Sequence, residues 1–173
     1  MRRTFLIVAI MATTSCGPVG EIATPSPFPR APVRAPASRT VEPVATAGAS
    51  AVLETALSLL GTAYRLGGDD PTRGFDCSGF VRYVFTQQGI AMPRTVAEQL
   101  SVGRNVPPDQ LQAGDLVFFA TTSSRQPTHV GIALGSASPG QFVHAPADGS
   151  VVRVEHFDTT YWRTRWIGAR RPL

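Results

Sequence analysis

A chain of 173 residues has room for one ordinary domain, and 43% hydrophobic residues can fill a core, which excludes wholesale disorder. The net charge of +4 comes from sixteen arginines and no lysine against twelve acids, but from Ser50 onward eleven arginines face ten acids, so the folded part gives nucleic-acid binding no electrostatic footing. Two cysteines, Cys16 and Cys77, exclude a disulfide scaffold and a four-thiolate zinc site.

Met1-Arg2-Arg3 is a short positive region, and Phe5 to Ala12 is an apolar run too short to span a bilayer. Thr13-Thr14-Ser15 then precedes Cys16. This pattern resembles a bacterial lipoprotein signal, with Thr13 standing where such signals usually carry an aliphatic residue. The resemblance implies a signal over 1–15 and a mature chain that begins at a lipid-modified Cys16. Residues 16–49 read as a tether, because Pro18, Pro25, Pro27, Pro29, Pro32, Pro36 and Pro43 sit among Ala, Thr, Val and Arg with no helical or strand period. Such stretches stay extended at about 3 Å per residue, which is several tens of ångströms of reach here. Gly17 lacks the Asp that marks inner-membrane retention in some bacteria, so the expected address is the outer membrane, facing the periplasm.

The folded domain is expected over 50–173. Val52, Leu53, Ala56, Leu57, Leu59 and Leu60 recur at helical spacing, and Gly61 stands where a C-cap glycine belongs. A loop over 62–75 follows. Asp76 is placed to cap a second helix whose Phe80, Val81, Val84 and Phe85 share a face, closed by Gly89. Thr95 and Glu98 form a capping-box pattern opening a short helix to about Val102. The period then changes: Leu116–Phe119, Val130–Leu134, Phe142–His144, Val151–Val154 and Trp166–Ala169 read as strands. Helices first and strands afterwards predict an α+β domain, N-terminal helices on one side of a C-terminal antiparallel sheet of about five strands.

Cys77 carries the chemistry in this reading. At the first turn of a helix it faces unpaired N–H groups and the positive end of the dipole, which favour thiolate and can hold an oxyanion. Asp76, Ser78 and Gly79 make a polar, small-residue entrance unsuited to a packed core cysteine. A thiol nucleophile needs a base, and the chain has three histidines. If 135–140 form a loop and Leu134 pairs with Gln141, His129 opposes Pro146 and His144 lies two residues along on the same face. Diagonal neighbours of this kind are about 7–8 Å apart, close enough for two rings to meet. A slip of one residue would put them on opposite faces. The geometry permits Cys77, His129 and His144 as nucleophile, base and orienter. His156 lies past the last apolar residue of its strand and is given no chemical role.

Gly61-Thr-Ala-Tyr64, Gly67-Gly68, Asp76-Cys77-Ser78-Gly79-Phe80-Val81, Pro93-Arg94-Thr95, Gly114-Asp115-Leu-Val-Phe-Phe119, His129-Val130-Gly131-Ile132, Phe142-Val-His144-Ala145 and Ile167-Gly168-Ala169-Arg170-Arg171 follow one another in this order. Together they closely resemble the NlpC-type cysteine peptidases of bacterial cell walls, over about residues 51 to 171. The resemblance implies a papain-like α+β fold that hydrolyses amide bonds in peptidoglycan stem peptides, typically between D-glutamate, through its γ-carboxyl, and a diamino acid. On matching positions it implies Cys77 as nucleophile, His129 as general base and His144 as orienter of its ring. It also implies Tyr64 beside the oxyanion, and Asp76 and Ser78 along the substrate groove. Arg94, Asp115 and Arg125 are left structural or unassigned. The longer Ala120–Thr128 stretch, which leads into His129, departs from the pattern.

The expected partners are stem peptides and a membrane reached through the lipid anchor, with no nucleic acid and a monomeric chain. No cofactor or metal is implied, because the cysteines and histidines lack zinc-ligand spacing and Gly67-Gly68 follows no strand. Two rival readings stay open: a lipoprotein that binds peptidoglycan without cutting it, and an acyltransferase on the same scaffold. The first leaves Cys77, His129 and His144 without a use, and the second differs only in the acceptor.

Overall fold

The computed structural model describes residues 43–123, 125–135 and 140–172, with side chains of the first helix from residue 48 onward. The signal, Cys16 and the tether up to residue 42 lie outside the described residues. Helix α1 (Pro43–Ser58) begins inside the segment read as tether. Pro43 takes the first helical position, where a missing N–H costs nothing, and the alanines at 45, 47, 49 and 51 favour continuation. Val52 and Ala56, one turn apart, are fully buried, whereas Leu57 and Leu60 face solvent. Among the described residues no helix is long and apolar enough to cross a membrane.

The segment read as a loop contains a small antiparallel hairpin, β1 (Asp69–Asp70) and β2 (Gly74–Phe75). It leads directly into α2 (Cys77–Thr86), whose Phe80, Val81, Val84 and Phe85 are fully buried. After α2, Gly89 adopts φ +72°, the left-handed conformation that ends a helix without strain. The capping box is present: Thr95 Oγ1 accepts from Glu98 N–H and the Glu98 carboxylate accepts from Thr95 N–H. The helix it opens, α3 (Val96–Gln99), is shorter than the sequence predicts.

The main sheet has six strands rather than about five. They are β3 (Arg104–Asn105), β4 (Leu116–Phe119), β5 (His129–Ala133), β6 (Gln141–His144), β7 (Arg153–His156) and β8 (Trp166–Arg171), in the order β3-β8-β4-β5-β6-β7. All neighbours are antiparallel. The added strand, β3, has only two residues, both exposed, so no alternation announces it. Leu116, Phe118, Val130, Ile132 and Val143 turn one face toward α1 and α2. Val117, Phe119, Ala133, Phe142 and Ala169 form a second cluster on the other face with Trp162, from a short helix α4 (Thr160–Arg163). The sheet is therefore covered on both faces, not on one. The fold is α+β, as the sequence predicts.

Asp115, left unassigned by sequence, is fully buried at the start of β4. Its carboxylate accepts two bonds from Arg171 at the end of β8, each 2.7 Å, and one from Gln112 N–H at 2.7 Å. A buried carboxylate is tolerated only when paired, so the last strand is clamped to the centre of the sheet. Arg171→Leu is expected to cost about 3 kcal/mol by chemical denaturation, because it strands the carboxylate. A loss within the error of that measurement would show that the clamp is not needed.

Candidate active site

The entrance of α2 is organised by one carboxylate. Asp76 has extended backbone and caps the helix, its Oδ1 accepting from Gly79 N–H at 2.7 Å and from Ser78 Oγ at 3.2 Å. Oδ2 accepts from Gly67 N–H at 2.9 Å. Arg94 then donates to both oxygens, at 3.0 and 2.7 Å, and to Ser78 Oγ at 2.9 Å. Burial alone would raise the Asp76 pKa, but the guanidinium and the two N–H groups outweigh it and hold the carboxyl below its ordinary value. Asp76 and Ser78 are buried, and these polar atoms bond within the protein, holding the helix entrance together. Arg94, unassigned from sequence, is the cation of this cluster.

Glycine is required here by close approach. A Cβ at Gly79 would lie 2.0 Å from the Gly68 carbonyl oxygen, and one at Gly68 would lie 2.2 Å from that of Gly74. The hairpin thus sits directly against the first turn of α2, an arrangement that only a bare Cα admits. Behind it, fully buried Gln99 donates to the carbonyls of Ser78 and Pro93, tying α3 to the same turn.

Cys77 is the first residue of α2 and is 9% exposed. The helix-terminus argument predicts a favoured thiolate, but burial wins: it pushes the thiol up to about 11, and the Asp76 carboxylate adds to the rise. The N–H groups of Val130, Ser78 and Cys77 offset only part of it. Val130 follows His129 on β5, so the thiol meets the sheet next to that histidine.

The β5–β6 register is the one the sequence predicts, with Ile132 opposite Val143 and Ala133 opposite Phe142. His129 and His144 consequently share a face. Their rings meet edge to face, with Nε2 of His129 2.7 Å from Nδ1 of His144. His129 is 4% exposed and His144 fully buried, so burial pushes both pKa values down to about 3. The neighbouring His144 contributes to the fall at His129, and Arg153 to the fall at His144. Both rings are therefore neutral at physiological pH. With Nε2 engaged by His144, Nδ1 is the nitrogen of His129 left to exchange a proton with another group.

Tyr64 is half-buried and held by its N–H to the Ser150 carbonyl at 2.8 Å. Burial, followed by the charges of Cys77, Asp76 and Asp148, raises its hydroxyl pKa. The structure thus gathers Cys77, Asp76 and Ser78 at the helix entrance and His129 with His144 on the sheet, and the Val130 N–H, next to His129, bonds the thiol. His156 is exposed at the far end of β7, its Nε2 3.3 Å from Gln141 Nε2, and outside the group. Arg125 lies apart with Arg165 and Trp166, lining a separate cavity of about 570 Å³ under the 120–128 stretch.

Sequence reasoning missed Trp162 and Glu155. The Trp162 ring stacks on His129 with centroids 5.5 Å apart and meets His144 edge-on at 5.3 Å. Its indole N–H donates to Glu155 Oε2 at 2.6 Å. These residues, with Thr121, Pro146, Ala147, Arg153 and Tyr161, line a cavity of about 440 Å³ beside His129. A tryptophan in an otherwise polar stretch, Asp158 to Arg165, was the one signal that could have pointed there. Among the described residues no three His, Cys, Asp or Glu side chains are grouped to hold a metal ion.

Chemically, a thiol and neutral imidazoles offer one step, proton transfer from sulfur to a ring nitrogen. Each charge alone is penalised by burial, but the transfer creates thiolate and imidazolium together, so their attraction offsets part of the cost. The same burial predicts a stability profile. The unfolded chain binds protons at its histidines near 6.5 while the folded chain does not until about 3, so their contribution is full above 6.5 and is lost as pH falls through that window. Cys77 acts at the other end: the unfolded thiol ionises near 9.0 and the folded one near 11, so stability also falls as pH rises above 9. Urea denaturation should find a plateau between about pH 7 and 9 with losses on both sides. Stability that rises on acidification from pH 6.5 to 4 would contradict the burial of neutral rings.

Known proteins share this arrangement of elements. The family model for the NlpC/P60 family matches residues 61–171. The chain is 38% identical over 122 residues to the gamma-DL-glutamyl hydrolase of Bacillus subtilis, covering 69% of this chain and 29% of that protein. It is 41% identical over 114 residues to the murein DD-endopeptidase MepS/murein LD-carboxypeptidase of Escherichia coli, covering 65% and 57%. It thus spans less than two thirds of the length of either relative. Among solved structures, an NlpC/P60 family protein from Bacillus cereus has a TM-score of 0.67 at 32% identity, covering 72% of this chain and 40% of that one. The NlpC/p60 domain of the peptidoglycan hydrolase SagA has a TM-score of 0.60 at 36% identity, covering 71% and 97%. Because the matched stretch takes in the helix that opens at Cys77, both histidine strands and the closing strand β8, the chain belongs to the NlpC/P60 family.

Proposed function

We propose that this protein is a peptidoglycan hydrolase of the cysteine-peptidase kind, cleaving stem-peptide amide bonds with Cys77 as nucleophile, His129 as base and His144 as orienter. The observation that carries the reading is the 2.7 Å contact from His129 Nε2 to His144 Nδ1, made where α2 brings a thiol to the start of β5. In this mechanism Sγ gives its proton to His129 Nδ1 and attacks the carbonyl carbon. The N–H groups at the helix entrance and the Tyr64 hydroxyl meet the oxyanion. His129 returns the proton to the leaving amine, and a thioester remains on Cys77. Water, deprotonated by His129, then attacks the thioester, releasing the acid and restoring the thiol. The relatives named as a gamma-DL-glutamyl hydrolase and a murein endopeptidase support an amide of cell-wall peptide material. The bond proposed is D-γ-glutamyl to diamino acid.

The site belongs in the cell envelope, where that substrate lies. We read Cys16 as the lipid attachment, residues 17–42 as the spacer, and the outer membrane as the address.

Mass spectrometry of products from purified stem peptides tests the assignment. Cys77→Ala should abolish cleavage with little change in melting temperature. His129→Ala should reduce kcat more than His144→Gln does, and His156→Ala should match the parent. Substantial cleavage by Cys77→Ala would end the thiol mechanism. Release of crosslinked D-alanyl products instead would move the bond, and an acyl conjugate would make the protein a transferase. For the anchor, Cys16→Ser should shift the protein from the membrane fraction to the soluble one, or leave the precursor uncleaved. An unmodified N-terminus in the intact mass of the parent would refute it.

A further inference from the structure

Strand β7 sets Glu155 opposite Phe142 and Arg153 opposite His144, so Glu155 stands on the same face as the two imidazoles. Its Oε2 accepts the Trp162 indole N–H at 2.6 Å. Its Oε1 accepts from Arg153, with Nε at 2.6 Å, and faces His144 Nε2 at 3.5 Å. That nitrogen is fully buried and has no hydrogen-bond partner among the described residues. A carboxylate held at this distance from a buried ring nitrogen favours a proton there, because a lone pair would face a negative oxygen.

We propose that Glu155 is a positioning residue that sets the tautomer of both imidazoles, and so makes His129 Nδ1 a proton acceptor; the inference rests on reading His129 as the base. The consequence passes from ring to ring. With Nε2–H on His144 pointing at Glu155, Nδ1 of His144 is a lone pair and must accept from Nε2–H of His129. His129 Nδ1 is then the lone pair that can take the thiol proton. The opposite arrangement puts a hydrogen on His129 Nδ1 and leaves the site without a base. Trp162 holds the carboxylate through its N–H while its ring stacks on His129, so one side chain fixes both ends of the chain of contacts. Once His129 is protonated, the Glu155 charge also favours the imidazolium. Arg153, half exposed and also bonded to Ser150 Oγ at 2.9 Å, balances that charge from solvent.

The test is nitrogen–proton correlation of the imidazole rings in the 15N-labelled mature chain at pH 7.5, read with steady-state kinetics on stem peptides. His129 and His144 in the parent should both show the Nε2–H tautomer. In Glu155→Gln the Trp162 N–H claims the amide oxygen, half-exposed Arg153 turns away to solvent and Ser150, and the NH2 faces His144 Nε2. Both tautomers should then invert, and kcat should fall about tenfold or more while KM changes less than about twofold. If Glu155→Gln does not fold, Glu155→Met removes the acceptor and should leave both tautomers populated. Unchanged Nε2–H tautomers in the variants would overturn the proposal, as would a loss carried wholly by KM, which would make Glu155 a substrate contact. Failure of the hydrolase reading looks different: the tautomers respond as expected, yet neither parent nor variant cleaves stem peptides.

Discussion

The pairing of β5 with β6 is the constraint on which the rest of the site depends. Strand side chains alternate between faces, so a slip of one residue would send His129 and His144 to opposite sides of the sheet. In the observed register they meet at 2.7 Å, sealed by Trp162 and Phe142. Sealing has an electrostatic consequence, because neither ring can hold a charge cheaply once water is excluded. The thiol and both imidazoles therefore rest neutral, with their acid–base capacity held in proton placement rather than in a standing ion pair. Burial that disfavours isolated charges also strengthens the attraction between charges made together, which suits a group that must ionise only while reacting.

A second carboxylate does the opposite work at the helix entrance. Asp76 is ionised because Arg94 and the N–H groups of Gly67 and Gly79 surround it. It joins three segments: the turn at Gly67 before the hairpin, the first turn of α2, and the Pro93–Thr95 segment that carries Arg94. Gly68 and Gly79 let these segments approach to within the space of a missing methyl group. Cys77 sits on this framework, so the position of the sulfur is set by an ion pair and a cap it does not itself join. Breaking such a pair leaves an uncompensated charge, a greater penalty than its formation relieves.

The apolar spacing of α2, the Asp76 cap, the Thr95–Glu98 capping box and the β5–β6 register are legible in the amino-acid sequence, because they are local or periodic signals and local rules set them. What is not legible depends on the third dimension. Glu155 and Trp162 reach the histidines only because β7 pairs beside β6 at the edge of the sheet and α4 covers its far face, and nothing in their spacing announces it. The two-residue β3 has no alternation to read, and the alanines after Pro43 carry the helix past the boundary that the prolines imply. The ionisation of Cys77 departs from expectation for a physical reason: a helix terminus is visible in sequence, whereas the burial that outweighs it is not. The arginine of the Pro93-Arg94-Thr95 run is visible as a motif, but its partner is not.

The central claim is that Cys77 and His129 act as one couple, and active-site labelling tests it most directly. A stem-peptide analogue carrying a chloromethyl ketone in place of the scissile amide would be mixed with the parent chain and with His129→Ala. Peptide mapping by mass spectrometry should place the adduct on Cys77, with the labelling rate falling about a hundredfold or more in His129→Ala. Labelling of another residue, or an equal rate in the two proteins, would contradict the account.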